Sequence, residues 1–209
     1  MLIEKCKPAE IEARSFEIIT KELMVRGITL PKENESVIKR VIHTTADFDY
    51  VSTLRFSENA VEQARELLRR GAHIVTDTNM ALAGINKKKL ESFGGKVHCF
   101  MAEEEIALKA KEREVTRAVV SMEHAAETIQ DPVIFALGNA PTALIRLYEM
   151  MKEGTYKPAF IIGVPVGFVN VEVSKELIVT TDVPYIVNMG RKGGSNVAAA
   201  ICNALLYGM

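Results

Sequence analysis

The chain contains no tryptophan, and aromatic residues make up only 6% of its 209 positions. That scarcity argues against a surface for stacking bases, which single-strand binders build from aromatic side chains. No sign of charge prevails: 26 Lys and Arg stand against 27 Asp and Glu. No basic field points to nucleic acid or to an anionic membrane surface, and neither is expected as a partner. No apolar run approaches the roughly 20 residues that cross a bilayer. Met1 to Glu10, with its acids, lysines and Pro8, lacks the apolar centre of a signal peptide. Cysteines are few and odd in number: Cys6, Cys99 and Cys202. Their wide spacing matches no metal-ligand pattern, so no metal site is expected. They read as reduced thiols, which fits a cytoplasmic protein.

What the chain does have is an alternation of apolar runs and helical patterns. Helical spacing covers Ile11–Arg26, ended by Gly27, and Glu35–Ile42. Ser57 is the expected N-cap of a helix running to Arg70 and ended by Gly71. Five short apolar runs read as strands: His73–Asp77, Lys96–Met101, Val133–Leu137, Ala159–Ile162 and Tyr185–Val187. Further helices are predicted over 103–112, 116–130, 141–152, 171–177 and 195–206. Continuous apolar strands alternating with helices predict an α/β protein with a mostly parallel sheet of about five strands, covered on both faces. No linker, repeat or low-complexity tract divides the chain, so residues 1–209 are read as one domain. Ligands of such sheets bind beyond the carboxyl ends of the strands, often where strand order switches.

The polar motifs fall mostly at those ends. Arg40-Val41-Ile42-His43-Thr44-Thr45-Ala46-Asp47-Phe48-Asp49 sets a histidine against two hydroxyls and two carboxylates. Histidine titrates near neutrality, and such neighbours can orient it and tune it, so His43 is the leading candidate for proton transfer. The plainer alternative is a helix end with a solvated imidazole. Thr76-Asp77-Thr78 closes the first predicted strand; it is either a ligand contact or a cap. Gly138-Asn139-Ala140-Pro141-Thr142 joins a strand to a helix whose first amides can hold an anion, or it is simply a well-formed turn. Gly163-Val164-Pro165-Val166-Gly167-Phe168-Val169 suits backbone passing close to something flat, or close loop packing. Gly190-Arg191-Lys192-Gly193-Gly194-Ser195 joins two cations to a helix start, the makings of an anion cradle, with a solvated basic turn as the alternative. Neither the dinucleotide nor the Walker spacing is present. His73, His98 and His124 show no ligand spacing.

Taken together, these motifs resemble the precorrin-8X methylmutase family of cobalamin biosynthesis, including its cobalt-precorrin-8 branch. The resemblance begins at Pro8-Ala9-Glu10-Ile11-Glu12 and Ser15-Phe16-Glu17-Ile18-Ile19. It continues through the His43 motif, Gly138 to Leu144 and Ile162 to Val169, and closes on Gly190 to Ser195. It implies a three-layer α/β/α fold, a homodimer, no organic cofactor and a tetrapyrrole substrate. The implied reaction is an isomerisation: a methyl group moves from ring carbon 11 to carbon 12, giving hydrogenobyrinate, or cobyrinate if cobalt is already bound. The family's catalytic histidine falls on His43. Thr44, Thr45 and Asp47 are the expected orienters of that imidazole, and count with Ser15, Thr76, Thr78, Thr142 and Gly167 as candidate substrate contacts. Arg117, Arg191 and Lys192, with the helix starts at Asn139 and Ser195, are expected to hold the substrate's carboxylates.

Two other classes fit the residues less closely. A tetrapyrrole carrier would use the same cleft and leave the chromophore unchanged. A nucleotide-dependent α/β enzyme would need a glycine spacing that this chain does not have.

Overall fold

Short apolar runs form strands and amphipathic runs form helices in a computed structural model that describes Glu4 and residues 6–209. Of the N-terminal stretch discussed above, Met1–Ile3 and Lys5 lie outside the described residues. A 3-10 turn at Pro8–Glu10 leads into α1 (Ile11–Val25), α2 (Glu35–Thr45), the single turn α3 (Tyr50–Thr53), β1 (Leu54–Phe56), α4 (Ala60–Arg69) and β2 (His73–Thr76). Next come α5 (Asn79–Gly84), α6 (Lys87–Glu91), β3 (Val97–His98), α7 (Glu104–Glu112), α8 (Arg117–Thr128) and β4 (Val133–Leu137). The chain ends with α9 (Pro141–Glu153), β5 (Phe160–Gly163), α10 (Val171–Val179), β6 (Tyr185–Asn188) and α11 (Ser195–Tyr207).

The strands form one sheet in the order β1-β6-β5-β4-β2-β3. All neighbours run parallel except β1, which pairs antiparallel with β6. Side chains alternate across each strand, so each face gets its own set. Val133, Phe135 and Leu137 of β4 pack with Met122 of α8, Leu144 of α9 and Ile178 of α10. Ile134 and Ala136 point the other way, into a layer with Ile42 of α2, Leu68 of α4 and Ile201 of α11. Burying each large apolar side chain contributes about 1.5–3 kcal/mol. The result is helix, sheet, helix, with α2 lying against α11.

The five predicted strands are present, and β1 is an addition. Leu54-Arg55-Phe56 has only three residues and a charge at its centre; pairing of Leu54 with Asn188 and Phe56 with Ile186 makes it a strand. β3 keeps only two residues of the predicted 96–101 run. Ser57 does not cap α4, which starts after a left-handed Asn59. Its hydroxyl instead accepts the Tyr185 N–H at 2.9 Å and ties the end of β1 to β6. α2 continues past Ile42, so His43, Thr44 and Thr45 belong to its last turn.

Candidate functional site

From β2 the chain passes outward to β3 and then returns to β4 on the other side of β2, so strand order switches between β2 and β4. A ligand is expected in that crevice, but the chain fills it itself. Asp77, 1% exposed, accepts the amide N–H groups of Gly138, Asn139 and Ala140 at 3.0, 2.7 and 2.6 Å. These are the amides expected to hold a substrate carboxylate at Asn139; an internal carboxylate has them instead. Burial pushes the Asp77 carboxyl above the usual carboxylate range, and the three amides pull against that shift.

The neighbouring hydroxyls are committed too. Thr76 is fully buried and lies within hydrogen-bonding reach of the carbonyls of Thr78 and His98, at 3.1 and 3.2 Å, so it does not face a ligand. Thr78 caps α5 by accepting the Ala81 N–H at 3.1 Å, and shares a 2.8 Å hydrogen bond with Ser195. Thr142 pairs with Thr116, the cap of α8, at 2.9 Å. The glycine-rich loops are packed against each other. A Cβ on Gly138 would lie 2.6 Å from the Gly194 carbonyl oxygen, and one on Gly193 would run into the Val164 carbonyl. The Gly194 N–H donates to Val164 O at 2.9 Å, and the Gly167 N–H to Arg191 O at 3.2 Å. These glycines serve close loop packing, not an open cradle.

The cations of the last loop stay at the surface. Arg191 pairs with Glu172 at 3.3 Å, and its guanidinium stands 5.4 Å from the centre of the Phe168 ring. Phe168 and Val169 are 80% and 79% exposed, an apolar lip beside that cation. Lys192 reaches Asp47 and Asp49, each at 2.6 Å. Its hydrogen bond holds the Asp47 carboxyl below the usual range, helped by the Asp49 N–H, and the two carboxylates push the Lys192 ammonium up. Arg117 is exposed at the start of α8.

His43 sits apart from these loops, exposed in the last turn of α2. The ring lies on Phe16 of α1, with centroids 5.3 Å apart and planes 27° from parallel. His43 and Ser15, with Ile18, Arg26, Ala46 and Phe48, line an open cleft of about 390 Å³. The expected orienters do not touch the imidazole: among the described residues it has no hydrogen bond from Thr44, Thr45 or Asp47. Thr45 donates to Val41 O at 2.8 Å and accepts the Asp47 N–H at 3.2 Å, while the Asp47 carboxylate is held by Lys192. Phe16, from the Ser15–Ile19 motif, is the side chain stacked against the ring. Directly after the helix, Ala46 turns the chain in the left-handed region at φ 55°.

His73 Nδ1 and His98 Nε2 lie 2.9 Å apart in a stacked pair at the β2–β3 edge. Among the described residues no three His, Cys, Asp or Glu side chains converge on a metal position, and no helix is long and apolar enough to cross a membrane.

The profile of the precorrin-8X methylmutase family matches residues 10–208. A cobalt-precorrin-8 methylmutase of Salmonella typhimurium is 44% identical over 204 residues, covering 96% of this chain and 95% of the relative. One from Priestia megaterium is 41% identical over 199 residues, 95% of this chain and 87% of its own. The crystal structure of a precorrin-8X methylmutase from Thermus thermophilus superposes with a TM-score of 0.85 at 37% identity, over 95% of this chain and 96% of that one. A family profile spanning almost the whole length, relatives above 40% identity and a matching fold agree: this chain belongs to the precorrin-8X methylmutase family.

Proposed function

We propose that this protein is an isomerase that moves a methyl group from ring carbon 11 to carbon 12 of precorrin-8X or cobalt-precorrin-8, giving hydrogenobyrinate or cobyrinate, with His43 as the proton donor. Relatives that carry both substrate names support the reaction class. The observation that carries the residue assignment is the exposed imidazole in the cleft between α1 and α2, braced on Phe16.

The shift is intramolecular. The migrating carbon leaves one ring position as it bonds to the next, with no net oxidation and no change in mass. Placing a proton on a ring nitrogen, or hydrogen-bonding to it, withdraws electrons from the conjugated system and eases the migration. One positioned acid of this kind is worth ~10²–10⁴-fold. Ser15, which lines the same cleft, and Thr44, next to His43 in the chain, are substrate contacts in this reading. Arg191, Lys192 and Arg117 face solvent and meet the carboxylates on the macrocycle's rim. The Phe168–Val169 lip covers part of its flat apolar face. Any cobalt present belongs to the substrate. A homodimer in the cytoplasm, with no organic cofactor, completes the proposal.

The deciding experiment is incubation with precorrin-8X and with cobalt-precorrin-8, followed by absorption and mass spectra. An isomerase changes the chromophore at constant mass; a carrier leaves the conjugated system as it was, and that result would end the proposal. His43→Ala should bind the macrocycle and fail to convert it. Normal turnover by that variant would remove His43 from the mechanism.

A further inference from the structure

One buried charge has no part in the chemistry described so far. Lys175 of α10 is fully buried, and among the described residues no carboxylate lies within ion-pair distance of its ammonium. Glu172, one turn earlier on the same helix, is paired with Arg191. Burial pushes the Lys175 ammonium down to about 8, with Glu172 opposing. A charge buried without a counter-ion is costly, and an apolar side chain would fill the same space without that cost.

What Lys175 has instead is the loop after β6. Its Nζ donates to the carbonyls of Gly190 and Lys192 at 2.6 and 2.9 Å. Asn188, also fully buried, donates through Nδ2 to the same Lys192 carbonyl at 2.8 Å, and its Oδ1 accepts from Thr53 at 2.7 Å. Gly190, at φ +71°, takes a left-handed turn that a larger residue would resist. The loop is wound around the ammonium, and the Lys192 side chain leaves it to bridge Asp47 and Asp49. Those carboxylates stand in the turn directly behind His43.

We infer that Lys175 is a positioning residue: its ammonium gathers the 190–192 loop so that Lys192 clamps the turn behind His43 and Arg191 is presented to the substrate's carboxylates. The consequence for catalysis rests on the methylmutase reading above; the clamp itself is tested separately from it. Replacing Lys175 with an apolar residue takes the donor from the Gly190 carbonyl and leaves the Lys192 carbonyl with Asn188 alone, so the loop must rearrange to find other partners. The arm that carries Lys192 then moves with it.

The test follows the Asp47 carboxyl by carbon-13 NMR through an acid titration of the full chain. Lys192→Met defines the midpoint of an unclamped Asp47, which lies above that of the wild type. Lys175→Met is expected to carry Asp47 to that same midpoint and Lys175→Arg to return it. KM for the macrocycle should rise about tenfold in Lys175→Met, because Arg191 is no longer presented to its carboxylates, and kcat should fall with it as the turn behind His43 loosens. An Asp47 midpoint that stays put in folded Lys175→Met overturns the inference, even if the melting temperature falls. If the wild type turns over no substrate while Asp47 responds as expected, the reaction reading fails and the clamp stands. Should Lys175→Met not fold, the wild type decides. A Lys175 Nζ resonance protected from exchange and coupled to the Gly190 and Lys192 carbonyls supports the clamp; an ammonium exchanging freely with water refutes it.

Discussion

Two polar regions of this molecule look alike in composition and behave in opposite ways. Beyond the carboxyl ends of β2, β4, β5 and β6, nearly every hydroxyl, amide and carboxylate of the inner loops is partnered within the chain: Asp77 with three amides, Thr76 with backbone carbonyls, Thr78 with Ser195, Thr142 with Thr116. At the end of α2 the imidazole of His43 has a stacking neighbour and an open cleft, but no internal hydrogen bond among the described residues. In the first region Asp77 and Thr76 are buried, and burial demands partners. In the second a group able to bond faces an open cleft. The difference teaches where to look: under the proposed function the site is marked by unspent hydrogen-bonding capacity, not by the density of polar residues.

That contrast gives the two largest expected effects opposite signatures. His43→Ala should cut turnover ~10²–10⁴-fold, while stability stays within about 0.5 kcal/mol, as for an ordinary surface substitution. Stopped-flow absorbance with thermal unfolding separates the two readouts. A large loss of stability would show that the histidine is structural and that the two regions do not differ. Asp77→Asn should do the reverse. An amide offers one acceptor where the carboxylate offers two, so at least one buried N–H is left unpaired. The expected cost is about 2–4 kcal/mol, a fall in melting temperature of roughly 5–12 °C for a chain of this size. Unchanged stability with a weakened KM would mean that the crevice at the β2–β4 switch is a ligand site after all.

Thr78→Val sharpens the same contrast at a smaller scale. It removes the cap of α5 and the hydrogen bond to Ser195, which together should cost about 1–2 kcal/mol. KM should not move. A higher KM at unchanged stability would return Thr78 and Ser195 to the substrate's contacts.

The parallel part of the sheet was readable because β2, β4, β5 and β6 carry their apolar patterns within themselves. β1 was not readable, since its three residues become a strand only against β6, more than 120 positions away. The same limit separates the polar residues. His43 could be singled out from its own chemistry and its neighbours in the chain. The role of Asp77 could not, because its partners at 138–140 come from another strand-to-helix turn. Nor could the plane of the His43 ring, which depends on how α1 crosses α2. Lys175 did leave a local sign: it shares the buried side of α10 with Val171, Ser174 and Ile178, where a lysine has to find acceptors.

The smallest expected effect concerns the joint between the two regions. Ala46 holds a left-handed conformation at φ 55° between the last turn of α2 and the Asp47–Asp49 turn that Lys192 clamps. An alanine there is strained by about 1–2 kcal/mol, and its methyl faces solvent, so little packing is lost when it is removed. Glycine relieves the strain but gives the unfolded chain more freedom, worth roughly 0.5–1 kcal/mol in the other direction. Ala46→Gly should therefore be neutral or stabilising by up to about 1 kcal/mol in denaturant unfolding. If the turn is held by the Lys192 bridge, kcat should be unchanged, because the clamp and not the alanine sets its position. A fall in kcat without any loss of stability would shift that role to the strained backbone itself and would place the rigidity behind His43 in α2 rather than in the loop after β6.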